Sequence, residues 1–451
     1  MRRVLETAAE RAIAYLEKLD TRSVAPTADA IARLETFRKG LPDGPTDPEV
    51  VLQWLSEVGS PATMAMAGPR FFGFVVGGSL PASLAANWLA GAWDQNTAFY
   101  RVTPATALLE QVTLGWLLDI FGLPPGCGGA FVTGATVANL TALAAARHVV
   151  LADVGWDVEA NGLCGGPPIT VVVGDEVHPT LLKSLGLLGL GRMRLVRVPV
   201  DSQGRMRPDA LPALRQPCIV CTQAGNVNTG AFDPIGEICP RVHAARGWVH
   251  VDGAFGLWAK ATPSRSRLAA GIEEADSWAT DAHKWLNVPY DSGLAFVRDA
   301  ESLRAAMSVT ADYLPTASQE RNPSDFTPEL SRRARGVEVW AALYSLGRSG
   351  LSDLIERTCR HAGRFAQGLR AAGYPVLNEV VLNQVLVSFG DAETTRRVIE
   401  DLQAEGTCWC GSTVWQGQTA MRISVSSWAT TEADVDRSLD AMLRIAGRHR
   451  R

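Results

Sequence analysis

The 451-residue chain lacks any excess of positive charge: 43 Lys and Arg stand against 47 Asp and Glu, a formal net charge of −4. Gripping a phosphate backbone takes a basic stripe, so nucleic acid is not an expected partner. Apolar runs long enough to cross a bilayer are also missing; "ITVVVG" (169–174) is far too short, and no membrane contact is expected. The N-terminus has a basic tip but then carries Glu6, Glu10, Arg11, Glu17 and Lys18, which leaves no apolar core of signal-peptide length. That segment reads as an amphipathic helix and the protein as cytoplasmic. Histidine is scarce, with seven residues and no HExxH-like cluster, so metal chemistry is not expected. Cys218 and Cys221 have metal-site spacing but lie in an apolar run without a second pair, and Cys408 and Cys410 share one face of a strand; all four read as buried thiols. A dinucleotide fingerprint is absent too, because "GCGGAF" (126–131) puts its glycines on the wrong side of the strand.

What is present is an alternation of strands and helices in a composition 47% hydrophobic and 20% charged, ordinary for a globular enzyme. Residues 1 to about 65 read as helices broken by Pro and Gly ("LPDGPTDP"), followed by the Gly-rich "GPRFFGFVVGGSL" and a helix. "GGAFVTG", "PITVVVGD", "MRLVRVPV", "PCIVCTQAG", "GWVHVDG", "SWATD" and "SGLAFVRD" read as strands, with "ATVANLTALAAARHVVLA" and "HPTLLKSLGLLG" as helices between them. Short apolar runs separated by helices imply an α/β class with a largely parallel, buried sheet. Beyond residue 310 come the loop "YLPTASQERNPSDFTPEL", the helix "SRRARGVEVWAALYSLGRSG" and a smaller α/β region holding "NQVLVSFG" and "TAMRISVSSW". The expected division is a helical segment over 1–65, a large domain over 66–310, and a loop with a small domain over 311–451.

In such sheets ligands gather at the carboxyl ends of the strands, and the chemically distinctive residues fall there. A strand runs into Gly134, and a helix opens at Ala135 and Thr136. Its free amides form either a phosphate site or a simply capped helix start. His178 follows a second strand, as a turn residue or a catalytic one. Asp252 ends a third, with Gly253, Ala254 and Gly256 after it; small residues admit a flat ring, although an aspartate there also serves as a turn former. Lys284 follows one strand later. Each signal alone is modest, but a phosphate cradle, a ring-stacking histidine, an aspartate and a lysine in this order suit pyridoxal 5'-phosphate. Arg422 in "AMRISVSSW" is either a surface-facing strand residue or a clamp for a substrate carboxylate.

"HVDGAFG" and "ADSWATDAHKWLNVPYDSG", supported by "TQAGNVNTGAFDP" and "SRRARG", give the chain a resemblance to the group II decarboxylases of the fold-type I pyridoxal-phosphate enzymes, from about residue 60 onward. The resemblance implies decarboxylation of an L-amino acid to its amine, with a Schiff base on Lys284. By the same resemblance His178 stacks on the cofactor ring, Asp252 pairs with the ring nitrogen and Ala254 lines the opposite face. Ala135, Thr136, Asp281 and His283 serve the phosphate end, Asp281 standing where the family often has asparagine. Asn226 stands where many members have a threonine that contacts the cofactor's phenolic oxygen. Arg422 matches an arginine that holds a substrate carboxylate. Phe74 belongs to the substrate pocket, where "FFGFVVGGSL" lacks the second aromatic and the proline of the aromatic decarboxylases and so implies a differently shaped pocket.

The family's mobile loop carries a tyrosine that protonates Cα. Here Tyr313 starts the loop and Phe326 is the aromatic nearest that tyrosine's place. In aldehyde-forming relatives a phenylalanine stands there and the reaction consumes oxygen; alternatively another group, such as His178, delivers the proton. The resemblance further implies a homodimer with its active site at the interface and "WDQNTAFY" (93–100) near the neighbour's cofactor. No stretch of sequence identifies the substrate side chain.

Overall fold

Seven short apolar runs pair into one sheet in the computed structural model, which describes residues 1–309 and 320–450. They are β1 (Gly128–Val132), β2 (Thr170–Gly174), β3 (Val196–Val198), β4 (Cys218–Gln223), β5 (Trp248–Asp252), β6 (Ser277–Asp281) and β7 (Gly293–Val297). The order is β1-β7-β6-β5-β4-β2-β3. From β6 to β3 every pairing is parallel, whereas β7 runs antiparallel to both β6 and β1. β1 therefore points the same way as β6, and its carboxyl end shares an edge with those of β2, β4, β5 and β6. β1 and β4 to β7 are buried along almost their whole length, which is why they read as continuous apolar runs rather than alternating ones.

Both faces are covered. On one side lie the helices Ala135–Ala152, Pro179–Leu187 and Ala300–Met307, and on the other Pro104–Phe121 and Ile235–Ala244 with the buried Trp258, Trp278 and Trp285. Among the described residues Ala135–Ala152 is the one helix long and apolar enough to cross a membrane, and 61% of it is buried inside the protein. Cys218, Cys221, Cys408 and Cys410 are buried free thiols.

A second sheet of β8 (Gln384–Val387), β9 (Gly411–Trp415) and β10 (Gln418–Ser424) is antiparallel in the order β8-β10-β9. Gln416 and Gly417, both at positive φ, make the two-residue turn between β9 and β10. The helices Ala392–Glu405 and Glu432–Arg448 and the later part of Gly336–Ala371 share a core with this sheet. The Glu432–Arg448 helix starts with a capping box of Thr431 and Asp434, as "TTEADVD" suggests.

One expectation shifts. The helix read from Ser331 starts at Gly336 and is interrupted at Gly347. Residues 331–335 are held outside it because Arg332 turns inward: it donates to Glu110 at 2.7 Å, to the Thr97 carbonyl at 2.9 Å and to the Phe131 carbonyl at 2.7 Å. Its own amide donates to Asn96 Oδ1 at 2.9 Å, which ties "WDQNTAFY" to "SRRARG". Glu110 and Arg332 are both fully buried. Glu110→Ala leaves two buried cations, Arg332 and Arg321 (3.5 Å away), without their counter-ion and is expected to destabilise the fold by about 3–5 kcal/mol. Glu110→Leu combined with Arg321→Met and Arg332→Met removes all three charges, and its urea midpoint should fall less. A triple variant weaker than Glu110→Ala would show that the ion network itself, not the orphaned charge, carries the stability.

Candidate active site

β6 ends at Asp281, and the chain passes through Ala282 and His283 to Lys284. Lys284 Nζ lies 2.8 Å from Asp281 Oδ2. The other oxygen of Asp281 accepts the Ala135 amide at 2.6 Å, the first N–H of the Ala135–Ala152 helix. The carboxylate thus joins the lysine to a helix N-terminus, where the helix dipole favours negative charge. His283 Nδ1 accepts the Ser292 amide at 3.1 Å, which leaves the ring proton on Nε2, 3.5 Å from Asp281 Oδ1. The ring stacks on Tyr290 at 4.2 Å. Burial pulls the His283 pKa down, against the nearby Asp281 carboxylate.

Two glycines let the backbones close in. A Cβ on Gly77 would sit 1.9 Å from the Lys284 carbonyl, so "VVGGSL" can lie on the lysine only without a side chain there. A Cβ on Gly256 would sit 2.1 Å from the Ala224 carbonyl, so the turn after β5 packs against the end of β4 for the same reason.

Lys284, Asp252, His178 and Ala254 line one cavity. Asp252 Oδ1 accepts the Ala254 amide at 3.3 Å, and Oδ2 accepts Asn139 Nδ2 at 3.2 Å. His178 is the N-cap of Pro179–Leu187, where its Nδ1 accepts the Thr180 amide at 3.3 Å and lies 2.7 Å from the Thr180 hydroxyl. Burial lowers its pKa, Asp252 and Asp281 oppose the shift, and Lys284 and Arg422 add to it. One imidazole therefore feels four of the residues singled out from sequence.

Arg422 sits on β10 of the second sheet, near enough for its charge to act on His178. Its side chain is only partly exposed, and its hydrogen bond, to Asn228 Oδ1, is at the 3.5 Å limit. Burial lowers its pKa. Thr136 occupies the first turn of its helix, and its carbonyl accepts the Ser184 hydroxyl at 2.7 Å.

Of the expected residues only Lys284, Asp252, His178 and Ala254 line this cavity, and Asn226, Phe74 and Phe326 are engaged elsewhere. Asn226 is used inside its own turn: Oδ1 accepts the amides of Asn228 and Thr229 at 2.9 and 3.3 Å, and Nδ2 donates to Gln223 at 3.2 Å. Phe74 is 60% exposed and stacked on Trp409 at 5.5 Å. Phe326 is buried in the apolar layer with β1 and Ala300–Met307, with the Arg321 guanidinium 4.2 Å over its ring. Tyr313 lies outside the described residues.

Sequence reading missed Gln223, Val227 and Phe255 on the cavity wall, and Asn139 behind Asp252. Gln223 is the last residue of β4, so the strand-end rule that found Asp252 could have found it. Asn139 is four residues into an apolar helix and carries no local signal.

A primary amine, a carboxylate, and an imidazole with a small alanine in one cavity suit a flat, charged pyridine ring. At the other end Gly134 packs closely on His283, where a Cβ would meet Cε1 at 3.1 Å. Lys284, Asp252, His178 and Ala254 fit the ring of pyridoxal phosphate, and at the helix start the Asp281 carboxylate takes the Ala135 amide.

Residues 36–389 match the family model described as the pyridoxal-dependent decarboxylase conserved domain. The chain is 25% identical to an aromatic-L-amino-acid decarboxylase of Bacillus atrophaeus, over 96% of this chain and 92% of that one. It is 28% identical to an L-2,4-diaminobutyrate decarboxylase of Rhizobium meliloti, over 86% and 80%. A crystal structure of Oryza sativa TDC with PLP and tryptamine superposes with a TM-score of 0.91 at 22% identity, covering 99% of this chain and 97% of that one, a likeness of fold.

Proposed function

We propose, from the premise that the chain belongs to the pyridoxal-dependent decarboxylase family, that it converts an L-amino acid to its amine and carbon dioxide with Lys284 holding the cofactor covalently. The observation that carries this reading is the meeting of Lys284, Asp252 and His178 in one cavity at the carboxyl ends of β6, β5 and β2. When bound, pyridoxal phosphate supplies a conjugated ring that draws electrons from Cα.

Each residue then has a task. Asp252 would pair with the ring nitrogen and keep it protonated. Ala254 and His178 would hold the ring between them. Because His178 Nδ1 is engaged by Thr180, Nε2 is the atom that can hold or deliver a proton at the cavity. Ala135 and Thr136 at the helix start, with Asp281 and His283, would serve the phosphate end, where the Ala135 amide donates to Asp281.

Arg422 binds a substrate carboxylate. Arg422→Ala is expected to raise KM at least about tenfold, roughly the 1.4 kcal/mol of one charge-assisted contact. An unaltered KM would remove Arg422 from substrate binding.

The chain divides into a helical segment over 1–65, a cofactor-binding domain over 66–310 and a small domain over 311–451. It works as a homodimer. Support comes from the large apolar side chains left exposed on two helices, Trp88, Leu89 and Trp93 on Pro81–Trp93 and Leu108 and Val112 on Pro104–Phe121. Free cysteines suit the cytoplasm as its location.

The test of the reading is the protein purified with added pyridoxal phosphate and then treated with borohydride. Mass spectrometry should place one reduced adduct on Lys284. An adduct on Lys183 or Lys260, or no uptake of the cofactor, would overturn it.

A further inference from the structure

β5 turns Trp248, His250 and Asp252 to one face, since alternate residues of a strand share a side. That face meets the Ala135–Ala152 helix, and β6 sets Ser277 beside His250 in register. Four hydrogen bonds link these side chains. Trp248 Nε1 donates to Ser277 Oγ at 2.8 Å, and Ser277 Oγ lies 2.9 Å from His250 Nδ1. His250 Nε2 lies 2.8 Å from Asn139 Oδ1, and Asn139 Nδ2 donates to Asp252 Oδ2 at 3.2 Å. Asn139, His250 and Ser277 are wholly shut off from solvent.

The direction of this chain follows from its two ends. An indole N–H only donates, and an ionised carboxylate only accepts. Asn139 must therefore present its amide nitrogen to Asp252 and its oxygen to His250. His250 then carries its proton on Nε2 and leaves Nδ1 bare. Ser277 donates its hydroxyl to that bare nitrogen and accepts from Trp248. Every proton in the series points toward Asp252. Burial holds His250 neutral, with its pKa pushed down to about 3, so the imidazole can act as donor at one nitrogen and acceptor at the other.

We propose that Asn139, His250 and Ser277 are positioning residues, a one-way hydrogen-bond chain that fixes the Asp252 carboxylate at the cavity wall as an acceptor. The proposal rests on Asp252 being the partner of the cofactor's ring nitrogen. A carboxylate left without Asn139 can rotate and loses the donor that favours its charged form. Aligned donors also polarise one another, so a break at His250 is felt at Asp252 two bonds away.

Two measurements test it. On cofactor-free protein with 15N-labelled histidine, NMR should show His250 as the neutral Nε2–H tautomer. The Nδ1–H tautomer would overturn the proposal, and this readout stands whether or not Lys284 binds the cofactor. With pyridoxal phosphate titrated by absorbance, Asn139→Leu and His250→Phe should each weaken cofactor binding about tenfold. His250→Gln can accept from Ser277 and donate to Asn139, and should return the affinity to within about threefold of native. Equal loss in the Phe and Gln variants, or native affinity in Asn139→Leu, would reduce the series to packing. Failure of the native protein to bind the cofactor at Lys284 would instead strike the functional reading and leave the tautomer result in place.

Discussion

Lys284→Ala is expected to lower decarboxylation by on the order of 10⁴- to 10⁶-fold, the range seen when a covalent catalytic group is removed. The loss should be chemical rather than structural. Beyond Cβ the Lys284 side chain lies in the cavity and meets Asp281, so truncation opens no hole in the core. The segment that carries it is fixed by other means. Trp285 is fully buried and donates to Thr358 at 2.9 Å, and Asn287 donates to the Ser426 carbonyl at 3.0 Å. The melting temperature should therefore stay near native, and borohydride should leave no adduct on the variant. Residual turnover within tenfold of native would show that another amine does the work.

Asp252→Ala should reduce kcat at least about 100-fold, the equivalent of the roughly 3 kcal/mol of a hydrogen bond between charged groups in a site shielded from water. Cofactor affinity should fall with it, because the ring nitrogen loses its partner. The bland alternative is that Asp252 only shapes the turn into Ala254, whose amide it accepts at 3.3 Å. Asp252→Asn separates the two. Asparagine keeps the turn bond but not the charge, so the account expects it to resemble alanine in kcat. Near-native turnover in Asp252→Asn would leave the residue as a turn former.

The parts of this site that were legible in the sequence share one property. Gly134, His178, Asp252 and Lys284 each follow a buried apolar run, and the rule that ligands gather at the carboxyl ends of parallel strands needs no knowledge of distant contacts. The strands were legible for the same reason, although β7 runs against its neighbours and nothing local to "SGLAFVRD" signals direction. Arg422 was ambiguous because its strand lies far along the chain, and only the packing of the second sheet brings it to His178. Asn226 was singled out only by the resemblance, and its side-chain amide and carbonyl are taken up by the turn it forms. Asn139 was invisible. An asparagine in an apolar helix becomes meaningful only once β5 places a carboxylate and an imidazole on either side of it. The start of the Gly336–Ala371 helix was misplaced by a tertiary effect of the same kind, the inward turn of Arg332 to Glu110.

The reaction itself is the most direct object of measurement. Protein loaded with pyridoxal phosphate should be incubated in sealed vessels with a panel of L-amino acids, and carbon dioxide, amine and oxygen followed together. The account predicts at least one amino acid that yields carbon dioxide and amine in equal amounts, with both products abolished in Lys284→Ala. Formation of an oxo acid from the panel without release of carbon dioxide would contradict it.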